Sequence, residues 1–421
     1  MSANGTRGTV LVVGGGISGI TAAIEAAEVG CEVVLVEKEA FLGGRVARSH
    51  LYFPKLCPPH CGLEINLRRL KTNPRIRVLT LAEVQRVSGT AGHFHATIRS
   101  APRYVNAKCT ACGACVDACP VERPDAFNLG MTTTKAIHLP YEMAFPMRFA
   151  IDATVCPGTS CGKCVPACPY DAIDLAMQPE TLELDIQAVI WATGWEPYDA
   201  RKLTGLGFGT YPNVITNVMM ERLAAPGGPT AGRIVRPSDR TPIASVAFVQ
   251  CAGSRDENHL KHCSGVCCLG TLKQTRYVRE QYPDATIYVF YIDIRAPGRL
   301  EDFYAVTQED PKIRLIKGKV ARISEDPATH ALTVEAEDTL AGTPLQQTVD
   351  LVVLATGITP AFHTTTDIAG GLQIDESGFL TDDQPVAGMV AAGCAKRPTD
   401  VATCVRDATG SVMRALQFCA E

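Results

Sequence analysis

The run Thr9-Val-Leu-Val-Val13 is β-branched and apolar and stops on three glycines, Gly14, Gly15 and Gly16. A stretch rich in alanine follows to Val29, and a second apolar run from Glu32 to Val36 ends in Glu37. A strand that turns on glycine into a helix and returns as a second strand is the crossover unit of a parallel sheet. The spacing Gly14-x-Gly16-x-x-Gly19, with an acid 23 positions after Gly14, is close to that of a dinucleotide-binding turn. Gly14 makes the tight turn, Gly16 lets a pyrophosphate approach the backbone, and Gly19 lets the helix lie on the strand. Gly15 and Ser18 belong to the same turn, where the helix start offers amide donors and a positive dipole end to phosphates. Glu37 is placed to accept from ribose hydroxyls. A plain glycine loop is the competing reading, and the surrounding strand, helix, strand and acid weigh against it.

Composition sharpens the picture through the cysteines. The chain has 421 residues and 18 cysteines, too long to need disulfide staples and too sparse in cysteine for a disulfide scaffold. Met1–Arg7 is short and polar and leads straight into the first strand, so no secretory leader is expected and a reducing, cytoplasmic compartment is. Thiols there read as metal ligands or redox groups. The apolar runs Val189–Thr193 and Leu351–Thr356 are strand length, far below the roughly 18 residues that span a bilayer. A membrane role is therefore expected only through a partner. Forty basic against forty-four acidic side chains leave a net charge of −4, which excludes a basic field for nucleic acid.

Eight of the cysteines form two runs: Cys109-x2-Cys112-x2-Cys115-x3-Cys119-Pro120, and Cys156-x4-Cys161-x2-Cys164-x3-Cys168-Pro169. The first is the bacterial ferredoxin spacing and the second a slightly opened copy. Two-residue spacers let three thiolates converge on one cubane, and soft anionic sulfur suits an iron core. In paired sites the fourth ligand crosses over. Cys109, Cys112, Cys115 and Cys168 are thus assigned to one [4Fe–4S] cluster, and Cys156, Cys161, Cys164 and Cys119 to the other. Zinc is the competing reading.

A second nucleotide-type frame is expected around the strand Ser245–Val249, a helix at about Cys268–Tyr282 and a strand at Thr286–Ile292. Its turn reads Gln250-Cys-Ala-Gly-Ser-Arg-Asp256 and lacks the first two glycines, so no nicotinamide binding is expected. Four cysteines occupy the place, Cys251-x11-Cys263-x3-Cys267-Cys268, and can close a third [4Fe–4S] site; buried structural thiols are the alternative.

Two strands end alike, at Ala192-Thr193-Gly194 and Ala355-Thr356-Gly357, and a late strand runs into Ala392-Gly393-Cys394. Together these are similar to the two-dinucleotide flavoproteins that include thioredoxin and glutathione reductases. That resemblance implies FAD at the first turn, with Thr193, Gly194, Thr356 and Gly357 close to it and Gly44 and Arg45 beside the flavin. It puts Gly393 and Cys394 near the ribityl chain, where the family has an aspartate and this chain the weaker partner cysteine. The expected fold class is α/β: a thioredoxin reductase-like, Rossmann-type flavoprotein with an inserted two-cluster ferredoxin. Expected boundaries are 1–103, 178–240 and 312–421 for FAD binding, 104–177 for the ferredoxin, and 241–311 for a degenerate NAD-like domain carrying a third cluster.

The run Val249-Gln-Cys-Ala-Gly-Ser-Arg-Asp256, then Cys263-x3-Cys-Cys-x4-Lys273, with the inserted ferredoxin, resembles the HdrA family, the flavin subunits of heterodisulfide reductases. The resemblance implies a cluster at Cys251, Cys263, Cys267 and Cys268, and Lys273 near the flavin, where its charge would tune the reduced state. Tyr52-Phe-Pro-Lys-Leu-Cys-Pro-Pro-His-Cys-Gly-Leu-Glu64, Cys109-Thr-Ala-Cys, Tyr141-Glu-Met-Ala-Phe-Pro-Met147 and Ile215-Thr-Asn-Val-Met-Met-Glu-Arg-Leu223 are similar to the Qmo branch, the HdrA-like subunits of quinone-interacting membrane-bound oxidoreductase complexes. An end at Glu421 is expected of that branch.

What the branch implies is an electron-transfer role, cytoplasmic and peripherally membrane-associated. The chain would work beside two partners, a related flavin/iron–sulfur subunit plus a quinone-reacting membrane subunit, linking the menaquinone pool with adenylylsulfate reductase in dissimilatory sulfate reduction. A heterodisulfide-reductase-type bifurcating subunit is one alternative. Another is an NAD(P)H-dependent disulfide reductase using Cys57 and Cys61, a C-x3-C pair soon after Gly43-Gly44. A cluster-bearing scaffold with a structural flavin is a third. Cys31, Cys394, Cys404 and Cys419 stand alone in sequence.

Overall fold

The structure, a computed structural model, describes residues 7–362 and 366–419. Two compact units divide the chain. The first takes residues 1–47, 60–195 and 360–421, and the second residues 48–59 and 196–359.

The first unit is built on a five-stranded sheet in the order Met389–Ala391, Ala188–Trp191, Thr9–Val13, Glu32–Glu37, Ile76–Thr80, with every pairing parallel. Val10, Leu11 and Val12 are all 0% exposed, which is why this strand reads as an unbroken apolar run: a parallel strand is covered on both faces. Helix Ile17–Glu28 follows and buries nine residues, five of them alanines or Gly19. A second sheet orders Glu180–Ile186, His93–Ser100, Ala82–Thr90 and Asp367–Ile368. Its strands alternate: Phe94, Ala96 and Ile98 are buried, whereas His93, His95 and Arg99 are exposed.

Residues 104–177 lie within this unit and contain little regular structure. Two short helices, Ala114–Ala118 and Cys164–Ala167, join two small two-stranded ladders. Val105, Ile137, Phe149, Ile151, Ala172 and Ile173 pack around Cys115 and Cys164, so thiols form part of this small core.

The second unit repeats the parallel plan. Its sheet runs Val214–Thr216, Leu351–Thr356, Ser245–Ala252, Thr286–Tyr291, Ile313–Lys317, again all parallel. A three-stranded antiparallel sheet, Val320–Glu325, Leu332–Asp338 and Thr343–Val349, shares its apolar cluster.

The division differs from the expected boundaries at 240 and 312. Residues 196–240 and 312–359 pack with the second unit, because Val214–Thr216 and Leu351–Thr356 are hydrogen-bonded members of its sheet and Ile313–Lys317 is its edge. Among the described residues no helix is long and apolar enough to cross a membrane.

Candidate functional site

In the first unit the strand ends at Val13 and the helix starts at Ile17, so Gly14, Gly15 and Gly16 make the whole turn. Gly14 has φ +111°, and a Cβ there would lie 2.3 Å from the Ala192 carbonyl oxygen. A Cβ on Gly19 would lie 1.8 Å from the Gly14 carbonyl oxygen, so helix and turn touch backbone to backbone. Gly16 is different: a Cβ there would meet no heavy atom within 4 Å. Gly44, at φ +54°, comes close to Gly16, a Cβ on it lying 2.9 Å from the Gly16 Cα. Arg45 follows, donating from Nε to the Trp195 carbonyl at 3.2 Å.

Glu37 is buried at the end of the second strand. Its Oε2 accepts from Gly15 N at 2.6 Å and its Oε1 from Glu39 N at 2.8 Å. Each oxygen keeps a second lone pair. Burial raises its carboxyl above the usual range, more than the two backbone amides lower it. At the end of the neighbouring strand the Thr193 hydroxyl is buried with no hydrogen-bond partner. A buried hydroxyl without a partner is costly unless something else supplies one. An open glycine at a helix N-terminus, an acid on the next strand and that orphaned hydroxyl fit a dinucleotide such as FAD. Gly194, at φ +75°, follows Thr193, and Gly393 and Cys394 lie in the turn Gly393–Ala395 of the same unit.

The ferredoxin-spaced cysteines gather in two sets. Burial pushes the Cys115 thiol up to about 12, and the thiolates Cys109, Cys168 and Cys112 push it the same way. Cys164 is raised by burial and by Cys156, Cys119 and Cys161. Backbone amides of Ala111 and Ala172 donate to the sulfurs of Cys109 and Cys168, each at 3.4 Å. Thiolates that repel one another fit a polycationic core, which removes the repulsion. Among the described residues no three His, Cys, Asp or Glu side chains converge closely enough for a single metal ion.

In the second unit the corresponding passage is long. The strand ends at Ala252 and helix Cys267–Gln281 begins after residues 253–266. The ladder slips between Val249 and Ala252, and Cys251 takes φ 54°, a left-handed conformation that favours glycine. Burial lifts Cys251 to about 11, with Cys268 and Cys263 adding to it. Burial lifts Cys267 to about 12, aided by Cys268, Cys251 and Cys263. These four cysteines are therefore one set. Gly265 N donates to the Cys263 sulfur at 3.4 Å, and Arg255, paired with Asp293, brings a cation to Cys251. Gly357 packs beneath this loop: a Cβ on it would lie 2.3 Å from Ser254 Oγ, and Ile358 N donates to Ser264 Oγ at 3.0 Å. Thr356 Oγ1 bonds Asn217 at 3.2 Å.

Lys273 lies on helix Cys267–Gln281, the one that starts with two of these cysteines, and is buried. Its ammonium donates to the Leu51 carbonyl at 2.7 Å and pairs with Glu221 Oε1 at 3.0 Å. Glu221 also accepts from Gln274 at 2.7 Å, from His50 N at 2.9 Å and from Tyr277 at 3.3 Å. This network holds residues 50 and 51 to the helix. Sequence reasoning passed over Glu221, since nothing near it in the chain marks it as buried. Cys57 and Cys61 are both exposed; Cys57 lies in the second unit and directs its thiol to the Lys55 carbonyl, and Cys61 lies in helix Pro59–Thr72. The four cysteines that stood alone are paired: Cys394 and Cys404 have sulfurs 3.6 Å apart, and Cys31 hydrogen-bonds Cys419.

The FAD dependent oxidoreductase family model matches residues 9–122, and the 4Fe-4S binding domain model matches residues 159–174. One of the CoB–CoM heterodisulfide reductase iron-sulfur subunits of Methanopyrus kandleri is 40% identical over 97% of this chain and 63% of its own length. One of the subunits of the H2:CoB-CoM heterodisulfide,ferredoxin reductase of Methanothermobacter marburgensis is 36% identical over 96% of this chain and 63% of its own. This chain thus spans about three-fifths of those relatives. Thioredoxin reductase of T. acidophilum superposes with a TM-score of 0.53 at 14% identity, covering 97% of this chain and 98% of its own. That of Lactococcus lactis gives 0.52 at 13%, covering 98% and 99%. Over nearly its whole length the chain is HdrA-like, with a match to the FAD dependent oxidoreductase family at its first turn, a 4Fe-4S match in the inserted region and a thioredoxin reductase-like fold.

Proposed function

We propose that this chain is the electron-transfer subunit of a multi-subunit oxidoreductase, carrying one FAD and three [4Fe–4S] clusters. The observation that carries the reading is the second unit's strand, helix and strand, whose turn holds four cysteines where a nicotinamide site needs glycines. FAD exchanges electrons in pairs and each cluster exchanges one, so together they split or join electron pairs. The Gly14–Gly19 turn with its helix start, Glu37 and Thr193 hold the dinucleotide, with Ser18, Gly44, Arg45, Gly194, Gly393 and Cys394 around it. Cys109, Cys112, Cys115 and Cys168 hold the first cluster, Cys156, Cys161, Cys164 and Cys119 the second, and Cys251, Cys263, Cys267 and Cys268 the third. A cubane keeps four thiolates further apart than one ion does, which suits these sets. Lys273, already engaged by Glu221 and Leu51, acts in this reading chiefly as the anchor of the segment around residue 50.

The finer assignment rests on the sequence stretches shared with the Qmo branch. It places the chain in a cytoplasmic assembly held at the membrane by a quinone-reacting subunit, with a related flavin/iron–sulfur subunit beside it. Electrons then pass between menaquinone and adenylylsulfate reductase. The names of the methanogen relatives favour a second reading, a heterodisulfide-reductase-type subunit that bifurcates electrons. Anaerobic native purification separates the two. A quinone-reacting membrane subunit travelling with the chain supports the first, and heterodisulfide-reducing subunits support the second. An NAD(P)H-dependent disulfide reductase with Cys57 and Cys61 requires NADH to bleach the flavin, which this reading excludes.

A further inference from the structure

Cys394 and Cys404 are ten positions apart in the chain and their sulfurs are 3.6 Å apart. Cys394 sits in the turn after strand Met389–Ala391, and Cys404 in the first turn of helix Val401–Ala415, which Asp400 caps by accepting from Thr403 N at 2.9 Å. They are 5% and 4% exposed, so only small reagents reach them. Both belong to the first unit. Their neighbour is the dinucleotide turn: the Cys404 sulfur hydrogen-bonds Ser18, and a Cβ on Gly393 would lie 2.1 Å from Ser18 Oγ.

We propose that Cys394 and Cys404 form a redox dithiol that closes to a disulfide when a small hydroperoxide oxidises it, loosening the flavin held at the adjoining turn. A disulfide is about 2.05 Å long, so the sulfurs must approach by roughly 1.5 Å, within reach of side-chain rotation. The hydrogen bond from Cys394 lowers the Cys404 thiol, Ser18 lowers it further against burial, and the helix N-terminus favours its thiolate. Cys394 is raised by the same hydrogen bond, which leaves it the proton. Cys404 is thus the attacking sulfur. It takes one peroxide oxygen as the O–O bond breaks, forming a sulfenic acid and releasing the other oxygen as water or alcohol. Cys394 then attacks that sulfur, the S–S bond forms, and the second oxygen leaves as water with the thiol proton. Two electrons pass from the thiols to the peroxide.

Closure acts on the turn through two contacts. Cys404 gives up Ser18, and the Gly393–Cys394 backbone, whose Gly393 N donates to Asp407 at 2.6 Å, is drawn toward the helix. The flavin effect rests on the FAD site proposed above, whereas disulfide formation does not.

The test treats the anaerobically purified holoprotein with one equivalent of hydrogen peroxide, then alkylates, digests without reductant and maps the peptides. The expected result is a linked Cys394–Cys404 peptide pair in most chains, with several-fold faster FAD release on dilution, reversed by a dithiol reductant. Cys404→Ser suffers the same cluster damage, so an FAD release that peroxide does not change from the variant's own untreated rate isolates the pair; Cys404→Ala, compared with its own untreated rate, replaces it should the serine variant misfold. Separately alkylated Cys394 and Cys404 after peroxide overturn the proposal. A linked pair with unaltered FAD release overturns the coupling to the turn. Protein that carries no flavin before oxidation contradicts the FAD site instead, and peptide mapping still decides the dithiol.

Discussion

From strand to helix the first unit needs only Gly14, Gly15 and Gly16, whereas the second interposes residues 253–266 on the same passage. The sheets behind the two turns are alike, each five-stranded and parallel. What differs is the side chain at the tight point. Gly14 takes φ +111° and brings no side chain, while Cys251 takes φ 54° and brings a thiol. The frame sets where a ligand sits, and the turn's residues set which ligand it is.

The largest expected effects come from crowding the short turn. Gly14→Val and Gly19→Val drive side chains into backbone at 2.3 and 1.8 Å, and should give protein without flavin, destabilised by about 3 kcal/mol or more. Gly16→Ala meets open space, so its melting temperature should hold while flavin affinity falls roughly tenfold, about 1.4 kcal/mol. Flavin absorbance after gel filtration and thermal melts read both. If Gly16→Ala keeps full affinity, the two halves of the turn do not divide the work this way.

In the second unit the test is the anchor beneath the cysteines. Glu221→Gln leaves Lys273 buried without its anion and should cost about 3–5 kcal/mol in a denaturant titration. Burial opposes ionisation of Glu221, but Lys273 and the hydrogen bonds outweigh it and hold the carboxyl below its usual range. The wild-type chain therefore has this stabilisation above the unfolded carboxyl value of 4.5 and loses it as pH falls through the depressed folded value. A variant with the same acid sensitivity as wild type contradicts the assignment.

Cys251→Gly sharpens the comparison by returning glycine to a left-handed position. Cluster-free protein should gain roughly 1 kcal/mol from relieved backbone strain, yet the variant should still show no bleaching by NADH. Glu37→Gln is the smallest expected change. Glu37 is raised by burial, so its charge opposes folding and stability falls as pH rises from 4.5 through the raised folded value. The variant should flatten that slope in flavin-free protein and weaken FAD.

Much of this was legible in local spacing. Thr9 to Glu37 declares its turn because strand, glycines and acid are all within one crossover, and the eight ferredoxin-type cysteines do so by fixed short spacers. What escaped was set by distant partners. Leu351–Thr356 joins the second sheet through pairing with a strand about a hundred residues earlier, which no local pattern records. Lys273 reads as a lone lysine until Glu221 and Leu51 are seen around it. Cys394 and Cys404 look separate because a turn and a capped helix start fold them together.

The central claim is that thiolates hold a cluster where a nicotinamide would otherwise bind, and anaerobic iron and sulfide analysis tests it most directly. The account predicts about twelve irons per wild-type chain and about eight in Cys267→Ser. About eight in both, with NADH bleaching the flavin, would contradict it.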